Sequence, residues 1–209
     1  VGENFVFNVD AKSSLGYHEF MRQYEIPDNA KIMLYVGSDH PRKNLNGLAE
    51  ILAKVLKVVP NCFLIKVGEP GVKKGREQFL KKLDDLGIRK HVKFTGVVSD
   101  EKLQTIYSLA DVFVFPSFQE GFGVPPLEAM ACGCPVVCSN VTSLPEVVGD
   151  AGILLDPKDI DEFAKSVTKV LLNNDFAKQL QAKGLERVKT FSWNDIVSET
   201  EKIYERMLG

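Results

Sequence analysis

Strand patterns alternate with helix patterns along most of this 209-residue chain. Short apolar runs rich in β-branched and aromatic residues, such as 31–36, 62–67 and 111–115, predict buried strands. The stretches 44–58 and 73–86 lie between strand patterns and predict helices. This order predicts an α/β fold, a Rossmann-like parallel sheet covered by helices on both faces.

The two ends of the chain fit the predicted sheet less well than its centre. We assign residues 1–28 to a linker followed by a helix, residues 29–190 to the sheet domain, and residues 191–209 to a carboxyl-terminal helix. The chain begins neither with Met nor with a signal peptide. We therefore expect it to be part of a longer protein.

The composition is that of an ordinary soluble domain, with 44% hydrophobic and 26% charged residues. A net charge of −2 disfavours a nucleic-acid-binding protein. The apolar runs are far shorter than the roughly 18 residues that a membrane span needs. Four cysteines give no convincing disulfide framework. We predict a cytoplasmic location, with membrane contact only peripheral and only through parts outside this chain.

Three of the cysteines, Cys132, Cys134 and Cys138, are close enough in sequence to suggest a metal site. Structural zinc sites usually pair cysteines as Cys-x₂₋₄-Cys and use four ligands. Here one residue separates Cys132 from Cys134, and no His is nearby in sequence. The spacing favours small, reduced, partly buried thiols, and we predict no metal.

The segment 110–133 predicts a ligand site, because within it a strand must stop, turn tightly and start a helix. Its apolar run ends at Pro116, and Gly121 and Gly123 permit positive φ and a close approach of a ligand to the backbone. The prolines that follow suit the first turn of a helix beginning near Val124. The free N–H groups at such a helix start would favour a phosphate or a sugar hydroxyl.

Two acids belong to this segment, Glu120 on the loop and Glu128 in what we expect to be the first helical turn. Two carboxylates on one rim can grip vicinal hydroxyls, because a carboxylate offers only acceptors and a sugar offers donors. Taken singly, Glu120 is better explained as a solvated loop acid and Glu128 as a partner of the helix dipole than as ligand-binding groups. The strand-end location favours the ligand interpretation, because open α/β sheets bind ligands there.

The same segment closely resembles the signature of retaining glycosyltransferases of family four, which have the GT-B architecture. That signature is a Glu, seven residues and a second Glu, and here Val124 replaces the usual Leu. The resemblance covers nearly the whole chain and implies that it is the carboxyl-terminal, donor-binding half of such an enzyme. In that half Glu120 would hold the donor sugar and Glu128 the donor ribose. The loop residues implied to join them at the donor are Gly121, Phe122, Gly123 and Val124.

The loop after the first predicted strand carries two adjacent cations, Arg42 and Lys43. Cations at a ligand edge offset diphosphate charge and stabilise a leaving diphosphate, although two such residues alone are more simply explained as a solvated loop. The family commonly has a Lys about six residues after Gly37, which Lys43 matches, and an Arg directly after that Gly, where this chain has Ser38. The resemblance implies catalytic roles for Lys43 and Glu120, and donor contacts for Gly37 and Ser38. Either Arg42 takes the catalytic role of the missing Arg, or one phosphate contact is lost.

Other motifs carry weaker predictions. The resemblance implies that Val97, after a short predicted strand, meets the nucleotide base, and an ordinary turn explains it equally well. Asp159 and Asp161 imitate an Asp-x-Asp metal motif, but Asp at a helix start is a common cap, and helix positions two apart do not face together. The turn at 68–71 lacks the full Gly-x-Gly-x-x-Gly fingerprint, which disfavours an NAD site.

The predicted function is retaining transfer of a hexose from a nucleoside-diphosphate sugar, such as GDP-mannose or UDP-glucose, to an acceptor hydroxyl without a metal or other cofactor. The form of the signature favours mannose. The acceptor, a glycan or lipid-linked glycan, would bind a missing amino-terminal half, so this half alone is expected to bind donor without turnover. Two alternatives stay open. One is another GT-B enzyme such as a sugar-nucleotide epimerase or a phosphorylase, and the other is a non-catalytic nucleotide-sugar-binding module, which Ser38 mildly supports.

Overall fold

The computed structural model describes residues 15–71, 73–191 and 193–208. Within these residues one sheet is formed by strands β1 (Lys31–Val36), β2 (Cys62–Val67), β3 (Val92–Gly96), β4 (Val112–Phe115), β5 (Val136–Ser139) and β6 (Ile153–Leu155). The helices are α1 (Leu15–Gln23), α2 (Leu45–Leu56), α3 (Lys73–Asp85), α4 (Asp100–Leu109), α5 (Val124–Ala131), α6 (Leu144–Val148), α7 (Ile160–Leu172), α8 (Asn174–Val188) and α9 (Trp193–Leu208).

The strands are parallel and lie in the order β3-β2-β1-β4-β5-β6. The chain builds the sheet outward from β1 to β3, returns to the centre, and continues outward on the other side from β4. The central register aligns Met33 with Val112 and Leu34 with Phe113. Ligands of open α/β sheets bind outside the carboxyl ends of the strands where the order reverses. The loops after β1 and β4 therefore border the expected ligand crevice.

The strands are apolar along their whole length because helices cover both faces of the sheet. All four residues of β4 and of β5 are buried. Helix α2 packs against α3 and α7, and α5 packs against α4 and α8. The predicted Rossmann-like α/β architecture is confirmed.

The ends of the chain are partly described. Helix α1 places Tyr17, Phe20 and Met21 in the same hydrophobic core as the sheet. Residues 1–14 of the predicted linker lie outside the described residues, as do residues 192 and 209 of the predicted carboxyl-terminal helix. Among the described helices, none combines the length and apolar character that crossing a membrane requires.

Two local predictions are wrong. Glu128 is the fifth residue of α5, beyond its first turn, because the helix begins at Val124. The sequence Ser143-Leu-Pro-Glu146 predicts a capping box at the start of a short helix, but the Ser143 side chain does not cap α6. Ser143 has helical rather than extended backbone angles, which differs from the usual geometry of a capping residue.

Candidate functional site

Two loops build the crevice at the point where the strand order reverses. The loop after β1 ends in a short 3₁₀ turn, Pro41–Lys43, immediately before α2. The loop after β4 runs toward α5 and carries Glu120. The amide of Phe118 donates to the Arg42 carbonyl at 2.8 Å, which joins the two loops directly. Strand order thus brings Lys43 and Glu120 together, although they are 77 residues apart in sequence.

A buried ion pair spans the crevice. Lys43 Nζ lies 2.8 Å from Glu120 Oε1 and 3.0 Å from Oε2, and both residues are buried. The ammonium also lies 4.9 Å from the centre of the Phe115 ring, on the last residue of β4. Two buried charges are stable only when they are paired and hydrogen-bonded, so each of the two holds the other in place.

Arg42 is the solvent-facing member of this group. Its Nη1 lies 3.1 Å from Glu120 Oε2 and donates to the Gln119 carbonyl at 2.9 Å, while 41% of its side chain stays exposed. We call Glu120, Lys43 and Arg42 the Glu120 cluster. With one acid and two cations, the cluster carries a net positive charge at the crevice and can attract an anion.

Residues from a third loop fix the backbone of Glu120. Its N–H donates to Thr142 Oγ1 at 3.1 Å, and Ser143 Oγ donates to its carbonyl oxygen at 3.4 Å. Thr142 has a φ of 51°, an uncommon conformation for a β-branched residue. The loop after β5 therefore holds the carboxylate at the crevice through two contacts that the sequence did not reveal.

Asn44 lies between the 3₁₀ turn and α2. It adopts the left-handed conformation (φ 54°, ψ 45°), and its Oδ1 caps α2 by accepting from the Gly47 amide at 3.2 Å. Its Nδ2 donates to the carbonyls of Pro116 (3.0 Å) and Pro157 (3.1 Å). One buried side chain thus connects the first helix after the crevice with loops from the other half of the sheet.

A second charged group lies behind the loop after β1. Lys66 Nζ lies 2.6 Å from Asp39 Oδ1, and Arg76 Nε pairs with Asp39 Oδ2. The side chains of Asp39 and Lys66 are fully buried, and burial lowers the pKa of Lys66. We call Asp39, Lys66 and Arg76 the Asp39 cluster. Gly75 lies against it so closely that an added Cβ would come within 1.9 Å of the Asp39 carbonyl oxygen.

The predicted donor loop lies at the start of α5. Gly121 has open space around the position of a Cβ, whereas Gly123 has a φ of 114° and an added Cβ would lie 2.9 Å from Leu144. Phe122 and Val124 each keep 46% of their surface exposed. These exposed side chains give the rim an apolar surface. The helix start adds few hydrogen-bond donors, because Pro125 and Pro126 have no N–H and the Leu127 amide donates to the Gly123 carbonyl.

Glu128 does not belong to the Glu120 cluster. Its Oε2 accepts a hydrogen bond of 2.9 Å from the hydroxyl of Tyr107 on α4. Burial raises the pKa of the Glu128 carboxyl, and this hydrogen bond acts in the opposite direction. The two signature acids therefore have different partners, one paired with cations and the other with an uncharged phenol.

The remaining predicted donor contacts are spread along the strand ends. Gly37 follows β1 directly, and an added Cβ would lie 2.8 Å from the Tyr35 hydroxyl. Ser38 is half-buried, and its carbonyl accepts from that hydroxyl at 3.4 Å. Val97 follows β3, two strands away from β1, and is 67% exposed. The structure thus places Gly37 and Ser38 against the loop after β2, at the start of the loop that leads to Arg42 and Lys43. It leaves Val97 at the far end of the same sheet edge.

The motifs that imitate metal sites have other partners. Asp159 caps α7 by accepting from the Glu162 amide at 2.9 Å, and Asp161 pairs with Lys54 at 2.7 Å. Cys132 is buried, and burial raises the pKa of its thiol to about 12. Across the described part of the chain, no three or more His, Cys, Asp or Glu side chains group in a way that could hold a metal.

Sequence reasoning missed the residues that support the site. Lys66 offered one signal, because a Lys inside the apolar strand run at 62–67 needs a buried acid partner. Tyr107 and Thr142 offered none, since a Tyr on an amphipathic helix and a Thr in a loop are ordinary. Their roles depend on which loops the sheet brings together.

The fold and the site together define a class of protein. A parallel, Rossmann-like sheet with a charged crevice at its strand-order reversal is typical of α/β domains that bind ligands at this edge, and the fold is that of the carboxyl-terminal domain of GT-B proteins. The chain belongs to the family described as glycosyl transferases group 1, whose family model matches residues 17–187.

Individual relatives agree with this assignment. The chain is 41% identical over 173 residues to O-antigen chain mannosyltransferase B of Escherichia coli, covering 82% of this chain and 45% of that protein. It is 34% identical over 198 residues to the serotype-specific mannosyltransferase WbdA of Escherichia coli, covering 92% and 23%. The structure of sucrose-phosphate synthase from Thermosynechococcus elongatus matches with a TM-score of 0.80 at 29% identity, covering 98% and 50%. The chain spans at most half the length of these relatives.

Proposed function

We propose that this chain is the donor-binding half of a retaining family-four hexosyltransferase and binds a nucleoside-diphosphate sugar at the crevice between β1 and β4. The observation that carries the proposal is the Glu120 cluster, in which Lys43 and Glu120 are buried together at the strand-order reversal. A buried acid beside two cations offers acceptors for sugar hydroxyls and donors for phosphates within one small volume.

Lys43 and Arg42 would bind the diphosphate of the donor. Negative charge develops on the departing diphosphate when the bond between sugar and phosphate breaks, and preorganised cations stabilise that charge. Lys43 is held rigidly by burial, whereas Arg42 is exposed and can move toward a ligand. We expect this charge to come from side chains and helix amides, without a metal ion or other cofactor.

The two signature acids would bind the other two parts of the donor, the sugar and the ribose. Glu120 and the amides of Gly121 to Gly123 would bind the sugar, and Glu128 would accept from the ribose hydroxyls. We expect the sugar to be a hexose, and mannose is favoured because two relatives of this chain are named as mannosyltransferases. Gly37, Ser38, Val97 and Val124 complete the proposed contacts with the donor.

The acceptor would bind outside this chain. We propose that a glycan or lipid-linked glycan approaches through an amino-terminal half of the enzyme, in the cytoplasm, and that any membrane contact is made through that half. The chain alone would then bind donor without sugar transfer. Appreciable transfer by the purified chain would contradict this part of the proposal.

Thermal unfolding with a panel of donors tests the binding itself. The panel contains GDP-mannose, UDP-glucose, UDP-N-acetylglucosamine, GDP and UDP. A ligand at a hundred times its Kd stabilises the folded state by about 2.7 kcal/mol, which raises the melting temperature by several degrees. Lys43→Met serves as the matched control and should show a much smaller shift. An unchanged melting temperature with every member of the panel would refute the proposal.

A further inference from the structure

Tyr107 and Glu128 form a contact that the signature does not include. Tyr107 is fully buried on α4, and its ring lies 5.8 Å from that of Phe113 on β4. Its hydroxyl donates to Glu128 Oε2 at 2.9 Å. The aromatic ring is thus anchored in the core while its polar end reaches the carboxylate on the neighbouring helix α5.

The contact restricts a side chain that is otherwise free to rotate. Glu128 is only half-buried, and a glutamate side chain has three rotatable bonds whose ordering costs conformational entropy. A buried phenol has little freedom of its own, so its hydroxyl fixes the position of Oε2. Each carboxylate oxygen has two lone pairs. One hydrogen bond to Oε2 therefore leaves Oε1 and part of Oε2 available to a ligand.

We propose that Tyr107 is a positioning residue that fixes the Glu128 carboxylate for two vicinal hydroxyls of a ribose. The inference rests on the proposed function, because it takes the ligand to be a ribonucleoside diphosphate. Tyr107 does not touch the ligand, and it acts through Glu128. A positioned acceptor pays less entropy on binding, so the effect of Tyr107 is confined to ligands that carry the ribose hydroxyls.

Calorimetry of Tyr107→Phe tests this role, since the variant keeps the buried ring and removes only the hydroxyl. The ligands are GDP or UDP, whichever the wild-type chain binds, the corresponding 2′,3′-dideoxynucleoside diphosphate, and inorganic diphosphate. We expect wild type to prefer the ribose form by about tenfold or more, as one hydrogen bond to a charged group implies. Tyr107→Phe should lose most of this preference and keep its affinity for inorganic diphosphate. An unchanged preference would overturn the role of Tyr107.

Two further variants separate positioning from general damage. Tyr35→Phe removes another buried phenol hydroxyl, one that donates to a backbone carbonyl, and should leave the ribose preference unchanged. In a Glu128→Ala background, Tyr107→Phe should change the preference no further, because both variants act through the same carboxylate. Additive losses would contradict the inference. If the wild type binds neither GDP nor UDP, the proposed function is overturned as well. If the wild type binds normally and Tyr107→Phe keeps the ribose preference, only the positioning role of Tyr107 is overturned.

Discussion

The Asp39 cluster and the Glu120 cluster have the same composition, one acid and two cations, but differ in their access to solvent. In the Asp39 cluster, Lys66 has no exposed side-chain surface and donates to the carbonyls of Gly68 and Glu69, both at 3.1 Å, and Arg76 keeps only 19% of its side chain exposed. In the Glu120 cluster, Arg42 keeps 41% of its side chain exposed. The hydrogen-bond donors of the Asp39 cluster are used by other groups of the protein, whereas the Glu120 cluster faces the crevice.

The difference separates a structural charge cluster from one suited to a ligand. The donors of Lys66 are directed to backbone carbonyls, so the Asp39 cluster holds the loop after β1 against β2 and α3. Lys43 and Arg42 share a single carboxylate, which leaves donor capacity for an incoming anion. The two clusters have the same composition, so the difference between them lies in how far their side chains are exposed to solvent.

We expect the largest effect from a substitution that breaks the Asp39 cluster. Asp39→Asn leaves the Lys66 ammonium buried without a negative partner, which costs about 3–5 kcal/mol of unfolding free energy. Urea unfolding followed by circular dichroism measures the loss. As the control, Asp161→Asn removes an exposed partner of Lys54, and we expect no measurable change. Similar stabilities for Asp39→Asn and wild type would contradict a structural role.

The next effect concerns ligand binding at the Glu120 cluster. Lys43→Met removes the buried cation, and we expect the affinity for the nucleoside diphosphate to fall about ten- to a hundredfold, as the loss of one charge-assisted contact implies. Calorimetry measures the Kd. Arg42→Met is the matched control, and its loss should be smaller because the guanidinium is exposed. A larger loss in Arg42→Met would show that the exposed cation is the main phosphate contact.

A third substitution in the Glu120 cluster is expected to raise the affinity for an anion. Glu120 is the internal counterion of Lys43, so Glu120→Gln removes a negative charge that opposes an incoming phosphate. We expect inorganic diphosphate to bind about threefold tighter or more, while the preference for a nucleotide sugar over its nucleoside diphosphate is lost. Competition calorimetry measures both quantities. Weaker binding of inorganic diphosphate would mean that Glu120 does not oppose the anion.

The smallest effect concerns Glu128, an acid whose hydrogen-bond partner is uncharged. Burial raises its pKa above the value in the unfolded chain. The contribution of Glu128 to the free energy of unfolding is therefore largest below the unfolded pKa of about 4.3, and it is lost as pH rises through the raised pKa. Glu128→Gln should therefore unfold at a higher urea concentration than wild type at pH 7, and the gap should close below about pH 4. A gap that persists at low pH would point to packing rather than charge.

The sequence predicted most of the fold because its patterns are local. The apolar runs at 31–36 and 62–67 coincide with β1 and β2, and the helix start at Val124 was placed correctly. Glu128 was displaced from the first turn to the second. The predicted cap at Ser143 is wrong, because its backbone is helical and its hydroxyl donates to the Glu120 carbonyl instead.

The sequence alone was enough to predict the α/β fold and the spacing of the two signature acids, since periodicity, turn residues and motif spacing are properties of neighbouring residues. The partners of those acids depend on the tertiary structure. Lys43 meets Glu120 because β1 and β4 are adjacent in the sheet, and Tyr107 meets Glu128 because α4 packs on α5. Strand order and helix packing set these distances, and burial then decides which charge cluster is sealed and which stays open to a ligand.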